Sequence, residues 1–335
     1  PDSLFVSVQA MARQTDGKIV VAGTTRWFDG NYNPGVVNLA RFNPDGSLDS
    51  SFITYNFAGF PLNEVLIQQD GKIILLGSFQ PVSGSPYTSI ARFNADGTLD
   101  NSFIAGGGPG DEITAGVITN SGKIIIGGDF TSYNGVPMQR FGSLNPDGSI
   151  DASFAFDGHV FSEVKSIKKQ FDGKIYLTAE TLSTNNNVGV TILRLNIDGS
   201  VDNTFGEVFS SGDINTLLPL PDGKLLVGGE PYSLMGTPAN GIARLNSNGE
   251  RDTLFYSVYS VSQPNVIISS MSLGLDGKIV VGGSFSKVAG KPANNIALLQ
   301  NDLDTYFNVA FTDVLQMNCS GNGSVTAFAS GGAPP

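Results

Sequence analysis

Carboxylates are the side chains of this sequence with the clearest potential for chemistry, because they recur at fixed places. Ten residues before a recurring turn glycine stand four acidic residues, Glu112, Glu163, Asp213 and Asp313. Carboxylates that converge repel one another unless a cation or a proton relieves them, and calcium prefers oxygen ligands. The register predicts a solvated rim at the strand starts, with a calcium site, or a funnel for a basic group, as the alternative.

A second acidic set belongs to a repeated Asp-x-x-Phe motif. Its members are Asp49, Asp100, Asp151, Asp202, Asp252 and Asp304. A residue that recurs in every copy does not mark one active site. We expect these aspartates to accept local backbone hydrogen bonds or to pair with arginines of the neighbouring strand. The arginines in that register are Arg41, Arg92, Arg194 and Arg244.

Enzymatic motifs are scarce. His159 is the single histidine, and the sequence contains no Cys-x-x-Cys and no nucleophile elbow. A Ser-His-Asp triad would have to use His159, and nothing else supports it. Glycoside hydrolysis by two carboxylates stays open, because acidic residues are present. We expect a protein that is not an enzyme, with a carbohydrate-active enzyme as the least favoured alternative.

Internal repetition determines the elements that must position these residues. The glycines of the first turn, from Gly17 to Gly277, are 54, 51, 51, 50 and 54 residues apart. The phenylalanines of the second motif, from Phe52 to Phe307, are 51, 51, 51, 50 and 52 residues apart. A unit this small buries its faces by stacking on its neighbours.

Each unit contains two hairpin signals. In residues 62–103, a first turn at Asp70-Gly71 and a second at Asp96-Gly97 lie between apolar runs. Asp tolerates the turn conformation, and Gly takes the left-handed one. Four antiparallel strands in about fifty residues form one propeller blade. A parallel β-helix has shorter coils without paired hairpin turns, and separate β-sandwiches need about 100 residues each. The predicted fold is an all-β propeller of four-stranded antiparallel blades.

The repeat resembles the delta-60 repeat family of bacterial β-propellers. The resemblance covers Gln69 to Phe79, Ala91 to Phe103, Ala243-Arg244-Leu245-Asn246 and Gly282-Gly283-Ser284-Phe285, and extends over nearly the whole chain. It implies an exported or cell-surface bacterial protein, or a phage protein, and brings no catalytic motif. The fourth unit departs from it at Thr178-Ala179-Glu180, and the sixth lacks the second turn glycine.

The whole chain, residues 1–335, is expected to form one propeller domain. The predicted units are 8–52, 62–103, 113–154, 164–205, 214–255 and 268–307, with a partial seventh at 314–331. Asp2 to Phe5 has the form of a fourth strand that would complete this last blade and seal the ring. Seven blades are favoured, and six are the alternative.

Composition limits the partners. A net charge of −11 argues against nucleic acid, which binds clustered Lys and Arg. No apolar run approaches the roughly 18 residues of a membrane span. The single Cys319 has no intrachain partner for a disulfide. The chain starts at Pro1 without a leader, so we expect a processed product or a part of a larger polypeptide or assembly.

The two Asp-Gly turns of every unit are expected on one face of the disc, and the longer, variable connections on the other, the variable-loop face. Loops on a rigid scaffold tend to carry function. Aromatic side chains beside Asn and Asp suit sugar stacking or a protein hot spot, although Trp27 folded against its own blade is the alternative. The candidate ligand contacts are Trp27, Phe28, Tyr32, Tyr87, Tyr133, His159 and Tyr232.

The function expected from these features is a non-enzymatic recognition or structural module. It would belong to a bacterial exported or cell-surface protein and bind a glycan or a protein through the variable-loop face. The alternative is a phage tail or fibre propeller, located in the virion, for host recognition or assembly. No cofactor is expected besides the candidate calcium ion.

Overall fold

A computed structural model describes most of the chain. The described residues are 5–25, 36–53, 55–58, 62–79, 89–104, 106–156, 161–182, 188–230, 233–238, 241–253, 255, 266–274, 276–288 and 291–299. Among these residues, no helix has the length and apolar character needed to cross a membrane.

The described elements are almost entirely β-strands. Those of the first three units are β1 (Phe5–Arg13), β2 (Ile19–Thr25), β3 (Val36–Phe42), β4 (Tyr55–Ala58), β5 (Leu62–Ile67), β6 (Ile73–Gly77), β7 (Ile90–Phe93), β8 (Ile113–Ile118), β9 (Ile124–Gly128), β10 (Ser132–Tyr133), β11 (Val136–Pro137) and β12 (Phe141–Leu144). Those of the last three are β13 (Glu163–Lys169), β14 (Ile175–Leu182), β15 (Val188–Leu195), β16 (Val208–Ser210), β17 (Ile214–Pro219), β18 (Leu225–Gly229), β19 (Ser233–Leu234), β20 (Thr237–Pro238), β21 (Ile242–Leu245), β22 (Ile267–Leu273), β23 (Ile279–Ser284), β24 (Lys287–Val288), β25 (Lys291–Pro292) and β26 (Ile296–Leu299).

Six antiparallel sheets follow one another along the chain, one in each repeat. Their strand orders are β1-β2-β3-β4, β5-β6-β7, β8-β9-β12, β13-β14-β15-β16-β19-β20, β17-β18-β21 and β22-β23-β26. The hairpin β19-β20 of the fifth unit thus joins the fourth sheet, while β10-β11 and β24-β25 form separate two-stranded sheets. The inner strands β1, β5, β8, β13, β17 and β22 pack against one another in chain order. The predicted all-β propeller is confirmed, with six repeated units.

The predicted fourth strand is shorter than expected. In the second unit, the segment after the second turn forms an isolated bridge between Phe93 and Leu99. Asp100 then donates its backbone N–H to the Arg92 carbonyl and accepts that of Phe103. These bonds turn the chain, so a continuous strand does not form there. In the first and fourth units, the later segments β4 and β16 supply the fourth strand instead.

The hydrophobic core lies between units. One buried cluster combines Ile74 and Ile90 of the second unit with Ile113 and Ile126 of the third. Strand faces that alternate across the sheet therefore bury one side against the preceding unit and the other against the next.

The first unit leaves its leading face uncovered. Val8 is 47% exposed and Met11 is 62% exposed, whereas their counterparts Leu62 and Val65 are 1% and 4% exposed. Phe5 lies in β1, where it pairs with Thr25. The prediction that Phe5 belongs to a fourth strand of the last blade is therefore wrong, because the residue extends the first strand of its own unit.

Among the described residues, the sixth unit has exposed apolar side chains on its trailing face. Val280 and Ile296 are exposed, whereas their counterparts Ile74 and Ile90 are fully buried. The partial seventh unit at 314–331 lies outside the described residues, so the seven-bladed ring stays a prediction.

Candidate functional site

A polar cluster, which we call the latch, is built around the aspartate of the Asp-x-x-Phe motif in each of the first five units. In the second unit, Arg92 Nε donates to Asp100 Oδ2 at 2.8 Å, and Lys72 Nζ lies 2.9 Å from the same oxygen. Asp100 Oδ1 accepts the backbone N–H of Ser102 at 3.0 Å and its hydroxyl at 2.6 Å. The Arg92 and Asp100 side chains are buried. The aspartate is therefore paired at both oxygens.

The latch also reaches the next unit. Arg92 Nη1 donates to the Pro146 carbonyl oxygen at 2.6 Å, and its guanidinium carbon lies 4.7 Å from the centre of the Phe103 ring. The backbone N–H of Ile104 donates to the Asp147 carbonyl at 2.6 Å. A guanidinium held over an aromatic face gains cation–π attraction in addition to its hydrogen bonds. The latch thus joins the second unit to the third.

The same ion pairs recur in three other units. The Arg–Asp distances are 2.8 Å for Arg41–Asp49, 2.6 Å for Arg194–Asp202 and 2.8 Å for Arg244–Asp252. Arg41 and Arg194 donate across to the carbonyls of Ala95 and Ser247. The predicted pairing of these aspartates with the neighbouring arginines is confirmed, and it makes them structural.

The third unit has a serine in the arginine position. Ser143 Oγ donates to Asp151 Oδ2 at 3.0 Å, and Lys123 Nζ lies 2.6 Å from that oxygen. Burial alone would raise the pKa of Asp151, but hydrogen bonds from Lys123 and Ser153 lower it to about 2. In the second unit, burial likewise opposes the shift, and hydrogen bonds from Ser102 and Lys72 lower the pKa of Asp100 well below its usual range.

These lowered pKa values predict how stability depends on pH. The unfolded chain takes up protons near pH 4, where the folded aspartates remain ionised, so folding is favoured above that range and loses this contribution as pH falls. We expect a melting temperature that is nearly constant from pH 7 to about 5 and falls steeply towards pH 2. Circular dichroism melts across this range measure it. Asp100→Asn should show a shallower fall, and an unchanged melting temperature at pH 2 would contradict the assignment.

The candidate calcium site stays a prediction, and its three described members have separate surroundings. Glu112 Oε1 accepts Asn63 Nδ2 at 2.7 Å, Glu163 Oε2 accepts Lys165 Nζ at 2.6 Å, and Asp213 is exposed. Within the described ranges, no group of three or more His, Cys, Asp or Glu side chains could hold a metal ion. Glu112 is thus hydrogen-bonded to an amide, Glu163 is paired with a lysine, and Asp213 faces solvent, as expected for a rim. Asp313 lies outside the described residues.

Tyr133 is a correction on the variable-loop face. Its side chain is fully buried, and its hydroxyl donates to the Gly148 carbonyl at 3.1 Å. The hairpin β10–β11 turns this ring inward, so it is not a surface contact. The other six candidates, Trp27, Phe28, Tyr32, Tyr87, His159 and Tyr232, lie outside the described residues and stay predictions.

Two short hairpins on this face present apolar side chains that the sequence patterns did not single out. Asn134-Gly135 and Met235-Gly236 form their tips with positive φ at both residues, as a type I′ turn requires. Val136, Met235 and Phe209 are exposed. The backbone N–H of Met235 donates to the Phe209 carbonyl at 2.8 Å, which places these two residues side by side.

The fold and the repeated latch define a β-propeller of stacked, homologous units. A family model for a β-propeller domain of unknown function, DUF5122, matches residues 14–52, 68–103, 119–154, 170–205, 220–255 and 275–304. These segments cover more than half of the chain, which therefore belongs to this family. No curated protein matches it.

Solved structures share the fold at low sequence identity. The periplasmic gluconolactonase PpgL of Pseudomonas aeruginosa is 15% identical, with a TM-score of 0.52 over 88% of this chain and 82% of that chain. PorZ, a bacterial surface component of the type-IX secretion system of Porphyromonas gingivalis, is 12% identical, with a TM-score of 0.51 over 93% of this chain and 42% of that chain. At such identities these likenesses show the fold alone.

Proposed function

We propose that this propeller is a non-enzymatic recognition module that binds a protein or a glycan through its variable-loop face. The observation that carries the proposal is the exposed pair of Phe209, in β16, and Met235, at the tip of the neighbouring hairpin, on that face. Aromatic residues and methionine are enriched at interfaces, where a few well-packed side chains supply most of the binding energy.

The state of the acidic residues supports binding over catalysis. The repeated aspartates Asp49, Asp100, Asp202 and Asp252 each pair with a buried arginine and a lysine. A carboxylate held in this way, with a lowered pKa, is a poor proton donor near neutral pH. The residues with the best geometry for chemistry are thus committed to joining units.

The setting we propose is the surface of a bacterium or its exterior, which the resemblance to delta-60 repeats supports. A phage virion is the alternative setting for the same recognition role. The solved propellers of similar fold include both a gluconolactonase and a surface component, so the proposal rests on the exposed side chains of this chain.

The double variant Phe209→Asp with Met235→Asp tests the proposal. The probes are a glycan array and a panel of immobilised bacterial and host surface proteins. Phe171→Asp is the control, because Phe171 lies on the Asp-Gly turn face and is even more exposed than Phe209 and Met235. We expect saturable binding of the wild type to at least one probe, weakened tenfold or more by the double variant and unchanged by the control. Failure of the wild type to bind, or equal loss in the control, would contradict the proposal.

A further inference from the structure

The third unit has two short side chains at neighbouring positions where other units have long ones. Ser143 occupies the position of the latch arginines, and Thr119 occupies the position of the glutamines Gln14 and Gln68. In the first and second units, these glutamines accept a hydrogen bond from the arginine of the same unit. Positions 119 and 143 therefore carry short side chains where the first and second units have a glutamine and an arginine in contact with each other.

A cleft of about 660 Å³ lies at this point, between the third and fourth units. Its volume is in the usual range for small-molecule sites. Thr119, Ser143, Asp151 and Phe154 line it from the third unit, and the turn around Ile197 lines it from the fourth. The cleft lies on the Asp-Gly turn face, opposite the proposed recognition surface, and is independent of it.

The cleft retains the partners that a guanidinium meets in the other units. There the guanidinium binds the aspartate Oδ2, covers the phenylalanine ring and donates to the carbonyl that precedes the next unit's second turn aspartate or asparagine. In the third unit, the aspartate is Asp151 and the ring is Phe154. The carbonyl in the same register belongs to Ile197.

The ring of Phe154 is more exposed than the equivalent phenylalanine rings of four other units. It is half-buried, whereas its counterparts Phe52, Phe103, Phe205 and Phe255 are all buried. Each of those four has a guanidinium carbon between 4.7 and 4.9 Å from its ring centre. An aromatic face beside a buried carboxylate is a favourable place for a planar cation.

The charge of the lining also favours a cation. The ionised side chains around the cleft are two lysines and three aspartates, Lys123, Lys174, Asp151, Asp172 and Asp198. In the first two junctions, the arginine of one unit also acts electrostatically on the second-turn aspartate of the next unit, Asp96 or Asp147. Asp198 occupies that position here, opposite a serine.

An apolar space adjoins the cleft. A second cleft of about 590 Å³ shares Ser143, Asp151 and Phe154 and extends to Phe156 and Phe161. A side chain that follows an arginine in a polypeptide could occupy it. A free guanidinium compound would leave it unused, so the two sources of the cation differ in what they fill.

We propose that the cleft between the third and fourth units binds a guanidinium group, carried by an arginine side chain of a polypeptide or by a small guanidinium compound. The planar group stacks on Phe154, pairs with Asp151 and donates to the Ile197 carbonyl. The ligand thereby completes the latch that the other junctions complete with their own arginine.

Titration with methylguanidinium, with methylammonium at equal ionic strength as the control, tests the site in the intact chain. Isothermal calorimetry and amide NMR shifts should show one saturable site with a dissociation constant on the order of millimolar, perturbing residues 143–154 and 196–199. Methylammonium should bind at least tenfold more weakly. Equal binding of both ions, or no saturable binding of methylguanidinium, would overturn the proposal.

Two variants localise the effect. Ser143→Arg places in the cleft the side chain that the other junctions use, so it should abolish methylguanidinium binding and raise the melting temperature. Arg92→Ser combined with Gln68→Thr should create a second site and raise the stoichiometry from one to two. Binding that persists in Ser143→Arg, or a stoichiometry of one in a folded double variant, would overturn the assignment.

The source of the cation follows from three further ligands. Acetyl-Arg-Leu-amide, acetyl-Lys-Leu-amide and free arginine are titrated into the wild type and into Ser143→Arg. Tighter binding of the arginine peptide than of free arginine identifies a polypeptide ligand, and the reverse identifies a small compound. An arginine peptide that binds no better than the lysine peptide would contradict recognition of a guanidinium.

Discussion

Replacing Asp100 by alanine should lower the free energy of unfolding by about 3–5 kcal/mol, the cost of breaking a buried ion pair from one side. The change leaves the buried Arg92 guanidinium and the Lys72 ammonium without their shared oxygen. It also removes the acceptor of both Ser102 hydrogen bonds. Urea unfolding followed by circular dichroism measures the loss.

Asp151→Ala is the matched control for this prediction. Asp151 has no arginine partner, and the Lys123 side chain that it releases can turn to solvent because it is 31% exposed. Its loss should be smaller, about 1–2 kcal/mol, the typical cost of lost hydrogen bonds. Equal losses in the two variants would show that the arginine contributes nothing to the latch.

Gly97→Ala should lower the free energy of unfolding more than Gly46→Ala does. Gly97 has φ +91, and a Cβ atom there would collide with the Ile53 carbonyl oxygen and lie 3.0 Å from the Phe52 ring. The left-handed conformation costs a non-glycine residue about 1–2 kcal/mol, and the forced contact adds about 1–3 kcal/mol. The two costs fall on the junction between the first and second units.

Gly46 separates these two costs. It has φ +82 in the equivalent turn of the first unit, and nothing lies within 4 Å of a Cβ built there. Gly46→Ala should therefore show the conformational cost alone. If Gly46→Ala and Gly97→Ala have the same melting temperature, the close contact of Gly97 with the first unit does not limit the side chain there.

The repeat made much of this fold predictable. The Asp-Gly turns follow from local chemistry, and the recurrence of Asp100 beside Arg92 in equivalent positions predicts their pairing without a structure. The fourth strand was less predictable, because Asp100 uses its own carbonyl and carboxylate to turn the chain after a single bridge. The alternation of apolar residues does not reveal such competition.

The directions of side chains and the distances between equivalent residues of different units could not be predicted from the sequence. Glu112 and Glu163 share a register, but register does not say how far apart equivalent residues lie, and each has a nearer partner. Tyr133 was expected at the surface because it lies in a loop, yet a type I′ hairpin directs it into the core. Neither outcome is determined by local propensity.

The sequence of the repeats contains a signal for the cleft at Ser143. Aligned on the first turn, the six units have arginine four times, serine once and leucine once at a position whose aspartate and phenylalanine partners are kept. A departure from a repeat is informative when its partners remain.

The junction at Ser143 also bears on how the chain loses its structure. Each latch couples a unit to its immediate successor, so the described part behaves as a series of nearest-neighbour terms rather than one undivided core. The cooperativity of unfolding then depends on the strength of the coupling between each pair of neighbouring units. The third unit contributes no guanidinium across its boundary, but a buried cluster that includes Ile125, Phe141 and Val164 still joins it to the fourth unit. A bound guanidinium should therefore add to this coupling and make the two units open together.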